Sequence, residues 1–328
     1  MTLSAAFVDM HITKWEAALT RPAYPFRSKW PSRLFHHAPL ENAVRIIIDG
    51  NLRSRNDPAN QRQRDVAAMG VIDARQHAHD SVRLYFRPRN PTQWHIEGIR
   101  KPGECQYGEA SHAPVLIMLM FEARRVLSLP GVKFCDRNMQ LGAAEPHDNE
   151  EHFAAIAFDK VYHMGGTGGD ASIVQHRCAE VLVPSPLPLD GSLQWIYCRS
   201  SAEKATLLHN LGAYGEQWAP RILISDDLLV FERNYVFVED VSLSRRGVSF
   251  RLNPRRDLQT VDVRISATDR HGNQAIAFRN NSMSATPPRP STGWIYESEL
   301  ADGQYLVDVF LEAHLAFRSF LTVGTGLF

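Results

Sequence analysis

Residues 174–183, Val-Gln-His-Arg-Cys-Ala-Glu-Val-Leu-Val, place one carboxylate, Glu180, inside a run that otherwise reads as a buried strand. A charged side chain there is costly unless it is paired or faces a cleft. Facing a cleft, it can oppose a developing positive charge or accept a proton. The plain alternative is an edge-strand glutamate turned to solvent. Just upstream, Gly165-Gly166-Thr167-Gly168-Gly169-Asp170 has little intrinsic shape. It lacks the Gly-Lys-Ser/Thr ending of a phosphate loop and is not expected to open a helix. Gly165, Gly166, Gly168 and Gly169, with His176 and Arg177 after them, read as a flexible target-recognition segment; a merely connecting loop is the competing view.

Other side chains suit the same kind of site. His36, in Leu34-Phe35-His36-His37, offers a neutral ring nitrogen that hydrogen-bonds without adding charge. A satisfied core histidine is its bland reading, and His37 is expected to face the other way by strand alternation. Arg89, between Pro88 and Pro91, offers a planar fork for phosphate, or else a surface cap for its loop. Tyr85 and Trp94 suit stacking or core packing equally. Arg62, Arg64 and Arg75 lie in a polar stretch that supplies a second phosphate-directed arginine or a solvated face. Of these, Arg62 is the one taken forward.

These residues need elements to hold them. The apolar spacing over 1–20 predicts a helix, with Phe7, Met10, Ile12, Trp15 and Leu19 on its inner side, followed by a proline- and aromatic-rich linker to residue 32. Strands are expected at Arg33–His37, Ser81–Pro88, Val115–Met120, Val132–Cys135, Glu180–Val183 and Leu193–Cys198. Helices are expected at Leu40–Gly50 with Gly50 as the C-terminal cap, at Glu122–Leu127, at Phe153–Val161, and at Ala202–Leu211 closed by Gly212. Residues 53–81 are too long for a simple connection. From Tyr235 onward short alternating runs recur between turn signals such as Asp269-Arg270-His271-Gly272-Asn273, the pattern of a β-sandwich. The loop 286–293 joins two of them. This divides the chain into 1–32, a core at 33–230 and a sandwich at 235–328.

The chain has 328 residues, and its 36 basic and 36 acidic side chains cancel. Neutrality leaves nucleic acid open as a partner through a local basic face, for which Arg83, Arg87, Arg89, Arg100 and Lys101 are grouped. Arg245, Arg246, Arg255 and Arg256 extend that charge or serve solubility. Four cysteines without a CxxC pair or zinc spacing fit a reducing cytoplasm and no metal. No run reaches membrane-spanning length, so no membrane partner is expected.

Four of these pieces occur in a telling order. They are Leu34-Phe35-His36, Gly50-Asn51-Leu52, Phe86-Arg87-Pro88-Arg89-Asn90-Pro91 and Arg177-Cys178-Ala179-Glu180-Val181-Leu182-Val183. Together, over roughly residues 33–212, they resemble the DarT family of NAD-dependent DNA ADP-ribosyltransferases. Phe35 stands for the family's tyrosine, Asn90 for a serine and Cys178 for a glutamine. The glycine-rich loop replaces an arginine-rich one.

The resemblance implies an α+β ADP-ribosyltransferase fold, a split sheet core with helices, followed here by the all-β sandwich. It implies Glu180 and Arg89 as catalytic residues, with His36, Arg89, Tyr85 and Arg62 around NAD, used as a substrate. The target would be a nucleobase, most readily in single-stranded DNA because a paired base must first be unstacked. A toxin or anti-phage role and a macrodomain-type antitoxin partner come with the family. RNA, or a protein, is the alternative target. Cys178 two positions before Glu180 speaks against arginine-directed transfer. A catalytically silent binding module is the non-enzymatic alternative.

Overall fold

The computed structural model describes residues 2–66, 79–101, 103–105, 108, 111–139, 144–253, 260–286 and 293–324. Arg75, Arg255, Arg256 and most of the 286–293 loop lie outside the described residues. The chain groups into two units: Met1–Ile96, Ile117–Tyr197 and Ser225–Glu232 form the first, and Glu97–Leu116, Cys198–Ile224 and Arg233–Phe328 the second.

The first unit begins with α1 (Ala5–Leu19), whose N-terminus is capped by the Ser4 hydroxyl accepting from the Phe7 amide at 3.3 Å. Its inner face is Val8, His11 and Leu19, while Met10 is exposed, so the expected inward set is corrected. Then come β1 (Arg33–Pro39), α2 (Leu40–Asp49), β2 (Asn51–Leu52), β3 (Ser81–Tyr85) and α3 (Pro91–Ile96). Next are β4 (Leu116–Glu122), α4 (Ala123–Leu127), β5 (Lys133–Cys135), α5 (Glu150–Ala154), α6 (Phe158–Val161) and α7 (Ala171–His176). Last are β6 (Glu180–Pro184), β7 (Leu187–Pro188) and β8 (Leu193–Tyr197). α2 ends at Gly50 in the left-handed region (φ 69°), where its N–H donates to the Ile47 carbonyl.

Three expectations are corrected here. The run 174–183 is not one strand: α7 occupies its first part, and β6 starts only at Glu180. The glycine loop does open a helix, because the Asp170 carboxylate caps α7 by accepting from the Ser172 amide at 2.9 Å. The helix expected over 153–161 is two short ones, α5 and α6. In each case a local cap or break outweighed apolar periodicity.

Six strands of this unit are ordered β5-β6-β3-β1-β4-β8. β6 is antiparallel to both β3 and β5, and β1 is antiparallel to β3. The registers Phe35↔Tyr85, Tyr85↔Glu180 and Cys135↔Glu180 put these four residues in one row across the sheet. Neighbouring residues alternate to the opposite face. Phe86 and Phe134 there meet Phe153 from α5 and Phe158 from α6, with ring centroids 4.9–5.8 Å apart. His11 of α1 closes over Phe153 and Phe158 at 4.8 and 4.3 Å. This aromatic core fixes the sheet that carries the site.

The second unit holds α8 (Ser201–Leu211), the short β9 (Ile222–Leu223) and seven strands after it. These are β10 (Val238–Ser244), β11 (Gly247–Leu252), β12 (Thr260–Asp269), β13 (Gln274–Ser284), β14 (Trp294–Glu297), β15 (Gly303–Leu311) and β16 (His314–Val323). They form two antiparallel sheets, β10-β11-β14 and β13-β12-β15-β16. Val248, Phe250 and Trp294 from one sheet share a buried cluster with Val263, Ile265, Val307 and Val309 from the other, which makes the pair a sandwich. β13 is the longest of these strands at 11 residues, and β14 the shortest at 4.

Candidate active site

The site is built on the Tyr85–Glu180 row. Glu180 is fully buried (0% exposed) at the first position of β6. The Met139 amide donates to its Oε2 at 3.1 Å, while Oε1 has no hydrogen-bond partner among the described residues. Burial raises its pKa above the usual carboxylate range; Arg83, the Met139 amide and Tyr85 oppose that shift. A buried carboxylate with one oxygen left open is an expensive arrangement, and a ligand hydroxyl or a proton would satisfy it.

Beside it three rings lie nearly parallel. His37 stacks on Tyr85 at 5.3 Å and 9°, and His36 lies 6.4 Å from His37 at 16°. His37, two residues from Phe35, shares the face of the Tyr85–Glu180 row by strand alternation, so the expectation that it turns away from the site is corrected. The His36 ring is locked by a 2.9 Å hydrogen bond between its Nδ1 and the Arg83 carbonyl. A carbonyl only accepts, so Nδ1 carries the proton and Nε2 is an acceptor. The His37 Nδ1 is buried and has no hydrogen-bond partner among the described residues. Burial, reinforced by His36, pushes the His37 pKa down to about 3, and burial likewise lowers that of His36. Both rings are neutral at pH 7, so neither repels a cation forming near Glu180.

The loop after β3 carries Arg89, whose φ of 53° is a left-handed conformation unusual for a non-glycine residue. The Gln93 side-chain oxygen accepts from its amide at 2.8 Å. Its guanidinium meets Glu232 through Nε and Nη2 at 2.9 and 2.8 Å. Arg89 is thus an ion-paired arginine, and a phosphate on its fork must displace a carboxylate. Arg62 lies 3.5 Å from Asp65, which Arg55 grips through two bonds of 2.8 Å. Arg64 approaches Glu41, and the Asn42 side chain pins the amides of Gln63 and Arg64 to α2. Trp94 is half exposed on α3.

The glycine loop takes positive φ at Gly165, Gly168 and Gly169 (91°, 58° and 89°), values a Cβ disfavours. The Arg177 guanidinium donates to the Gly165 carbonyl at 2.6 Å and to His163 Nδ1 at 2.7 Å. Arg177 thereby anchors the loop, and His163 is neutral with its proton on Nε2. His176 sits apart, bonded through Nδ1 to the Asp136 carbonyl at 2.9 Å. Sequence reading missed His37, Met139 and Glu232. A second histidine beside the first was the available signal for His37; the other two approach only through the tertiary fold. Among the described residues no three His, Cys, Asp or Glu side chains gather as a metal site.

Residues 35–229 match the family model described as "ssDNA thymidine ADP-ribosyltransferase, DarT". Among solved structures, Thermus sp. 2.9 DarT in complex with ADP-ribosylated ssDNA is 21% identical, over 60% of this chain and 96% of that one, with a TM-score of 0.49. The same protein in complex with NAD+ is 22% identical over 60% and 97%, with a TM-score of 0.47. Thermosipho africanus DarTG in complex with ADP-ribose is 14% identical over 66% and 55%, with a TM-score of 0.41. No curated protein matches the chain.

Proposed function

The chain belongs to the DarT family of ssDNA thymidine ADP-ribosyltransferases, and from that membership we propose how its own residues carry the reaction. NAD is the substrate that donates ADP-ribose, and nicotinamide leaves. The bond from ribose C1′ to the nicotinamide nitrogen breaks with its electrons going to the pyridinium ring. A bond from C1′ to the thymidine base forms, and the base gives up a proton. Positive charge gathers on the sugar between these events, as in glycoside hydrolysis.

Glu180 is the residue to meet that charge. Its open Oε1 suits a hydrogen bond from a ribose hydroxyl, and its negative charge opposes the cation forming on the same sugar. Thymidine has one N–H on its base, and burial makes Glu180 a stronger acceptor for that proton than an ordinary glutamate. His36 presents Nε2 to accept from a hydroxyl, and His37 has an unmet Nδ1 in the same ring stack. Tyr85 supports that stack and can contact nicotinamide. Arg62 and Arg89 remain the arginines for the NAD diphosphate, each exchanging its present acidic partner for it. The glycine loop, with His176 and Arg177, is the acceptor-facing segment. We assign this chemistry to residues 33–230, with 1–32 as a packed N-terminal addition and the sandwich at 235–328 as an accessory.

A toxin role countered by a macrodomain-type antitoxin is the partner relation this family membership supports. No helix among the described residues is long and apolar enough to cross a membrane. We place the activity in the cytoplasm, where NAD and single-stranded DNA meet, in keeping with four free cysteines.

The observation that carries this reading is the fully buried Glu180 with one unpartnered oxygen beside a neutral histidine stack. The test is intact-mass analysis of a thymidine-containing single-stranded oligonucleotide after incubation with NAD and either wild type or Glu180→Gln. One added ADP-ribose with wild type, lost with the variant, is expected. Undiminished transfer by the variant would refute the assignment of Glu180.

A further inference from the structure

Arg27 lies in a turn at Pro25–Lys29, ahead of the stretch that matches the family. It is only 9% exposed, and its side chain, the buried Nε included, makes no hydrogen bond or ion pair with any described residue. A buried guanidinium without a carboxylate is a costly arrangement unless something else supplies the negative charge. The Tyr24 ring lies 6.0 Å from its guanidinium carbon.

The surroundings repeat the anomaly. Arg87 is 2% exposed and donates only to neutral acceptors: the carbonyls of Pro88, Val161 and His163 and the Met164 sulfur. Burial and the charge of Arg177 pull the Arg87 pKa down to about 9. Arg177 also has only neutral partners and a buried Nε left over. His163 feels Arg177, Arg27 and Arg87 as like charges. The acidic groups near this cluster are Glu232, which is paired to Arg89, and Asp159, which acts on His163. Three arginines therefore share one region in which no carboxylate of the described residues is bonded to any of them. At its edge Tyr24 is 36% exposed, and a Cβ placed on Gly165 would come within 3.7 Å of its hydroxyl. The ring thus flanks the glycine loop.

We propose that Arg27, Arg87 and Arg177 form a subsite for a backbone phosphate of the single-stranded DNA acceptor, with the Tyr24 ring as a platform for the adjoining base. Stacked aromatic rings beside a cationic track are the general solution for holding single strands. The inference rests on the reading of this chain as a DNA ADP-ribosyltransferase. DNA rather than NAD is the occupant because Tyr24 and Arg27 lie ahead of the matched stretch and the Tyr24 ring flanks the glycine loop, the segment assigned to the acceptor. A subsite partly built from residues 21–30 is an addition, and it opens onto exposed loop surface where a strand can continue.

The test uses the full chain, NAD and single-thymidine oligonucleotides with one or several flanking nucleotides. Arg27→Gln should raise KM for the longer oligonucleotide about 10-fold and leave KM for NAD in place. It should also flatten the slope of log kcat/KM against log salt by about 0.7, the contribution of one single-strand phosphate. Tyr24→Leu changes an exposed ring, so it guards against a folding defect, and should raise the same KM about 10-fold. The shortest oligonucleotide should be affected least. A rise in KM for NAD instead would assign the cluster to the donor diphosphate and overturn the proposal. So would variants whose DNA KM and salt slope match wild type. Wild type inactive on every DNA oligonucleotide would overturn the parent reading, and this one with it.

Discussion

Two buried glutamates, one in each unit, show how differently a folded chain can treat the same side chain. Glu203, 1% exposed at the start of α8, is satisfied on both oxygens. The Arg199 amide donates to its Oε2 at 3.0 Å, and the Arg199 Nε and Nη2 donate to its Oε1. Arg199 in turn donates to the Pro114 carbonyl at 2.5 Å and has Glu97 at 3.9 Å. Glu180 is equally buried, but among the described residues the Met139 amide donates to its Oε2 and its Oε1 has no hydrogen-bond partner. A charge whose partners are complete is part of the scaffold. A charge left partly unmet in the same kind of interior is a place where a ligand completes the set.

Substitution should separate the two most sharply. Glu180→Gln is expected to lower the transfer rate on the order of 10³-fold while leaving the melting temperature unchanged or raised, since a poorly solvated charge is removed. Glu203→Gln should do the reverse. It strands Arg199 and is expected to cost about 3–5 kcal/mol in urea unfolding, with transfer per folded molecule little changed. If both variants lose activity and stability together, the contrast is broken.

Within the ring stack the expected effects are smaller. His36→Phe removes the Nε2 acceptor and should raise KM for NAD by roughly 10-fold. His37→Phe keeps the stack on Tyr85 but loses Nδ1; a fall in kcat of similar size would place it at the reacting sugar, and an unchanged kcat would leave it a packing residue.

Acid should expose the buried histidines. The pKa values of His11 and His37 are held down to about 3 by burial, below the ordinary value of 6.5, so the unfolded chain binds protons that the folded one refuses. Stability is then lost as pH falls from about 6.5 toward 3, by about 2 kcal/mol per histidine at pH 5. Comparing urea midpoints at pH 7.5 and 5 checks this, and His11→Phe should remove one share. Glu180 has the opposite sign in the usual carboxylate sense: its raised pKa makes the folded state hold a proton that the unfolded state releases. Its ionisation costs stability as pH rises above 4.5, and the acidic limb of the transfer profile should lie above that of an ordinary glutamate.

Much of the frame was legible in the sequence. The helix Leu40–Asp49 with Gly50 in the left-handed cap, the strand opening at Glu180 and the alternating runs of the sandwich follow from local periodicity and caps. Where local signals competed, reading failed. The run 174–183 suggested strand throughout, but Asp170 caps a helix over its first part. Arg89 looked like a free fork because Glu232, 143 residues later, could not be foreseen.

The sequence by itself determined which residue types stand at which points of the motif order, and so the family and the identity of the one strand glutamate within it. Whether that glutamate is solvated, paired or left open was decided only in three dimensions. The free energy of a buried charge depends on the few atoms within hydrogen-bond reach, and those come from distant segments. For Glu180 that reach includes the Met139 amide and, among the described residues, no partner for Oε1; for Glu203 it is filled by Arg199.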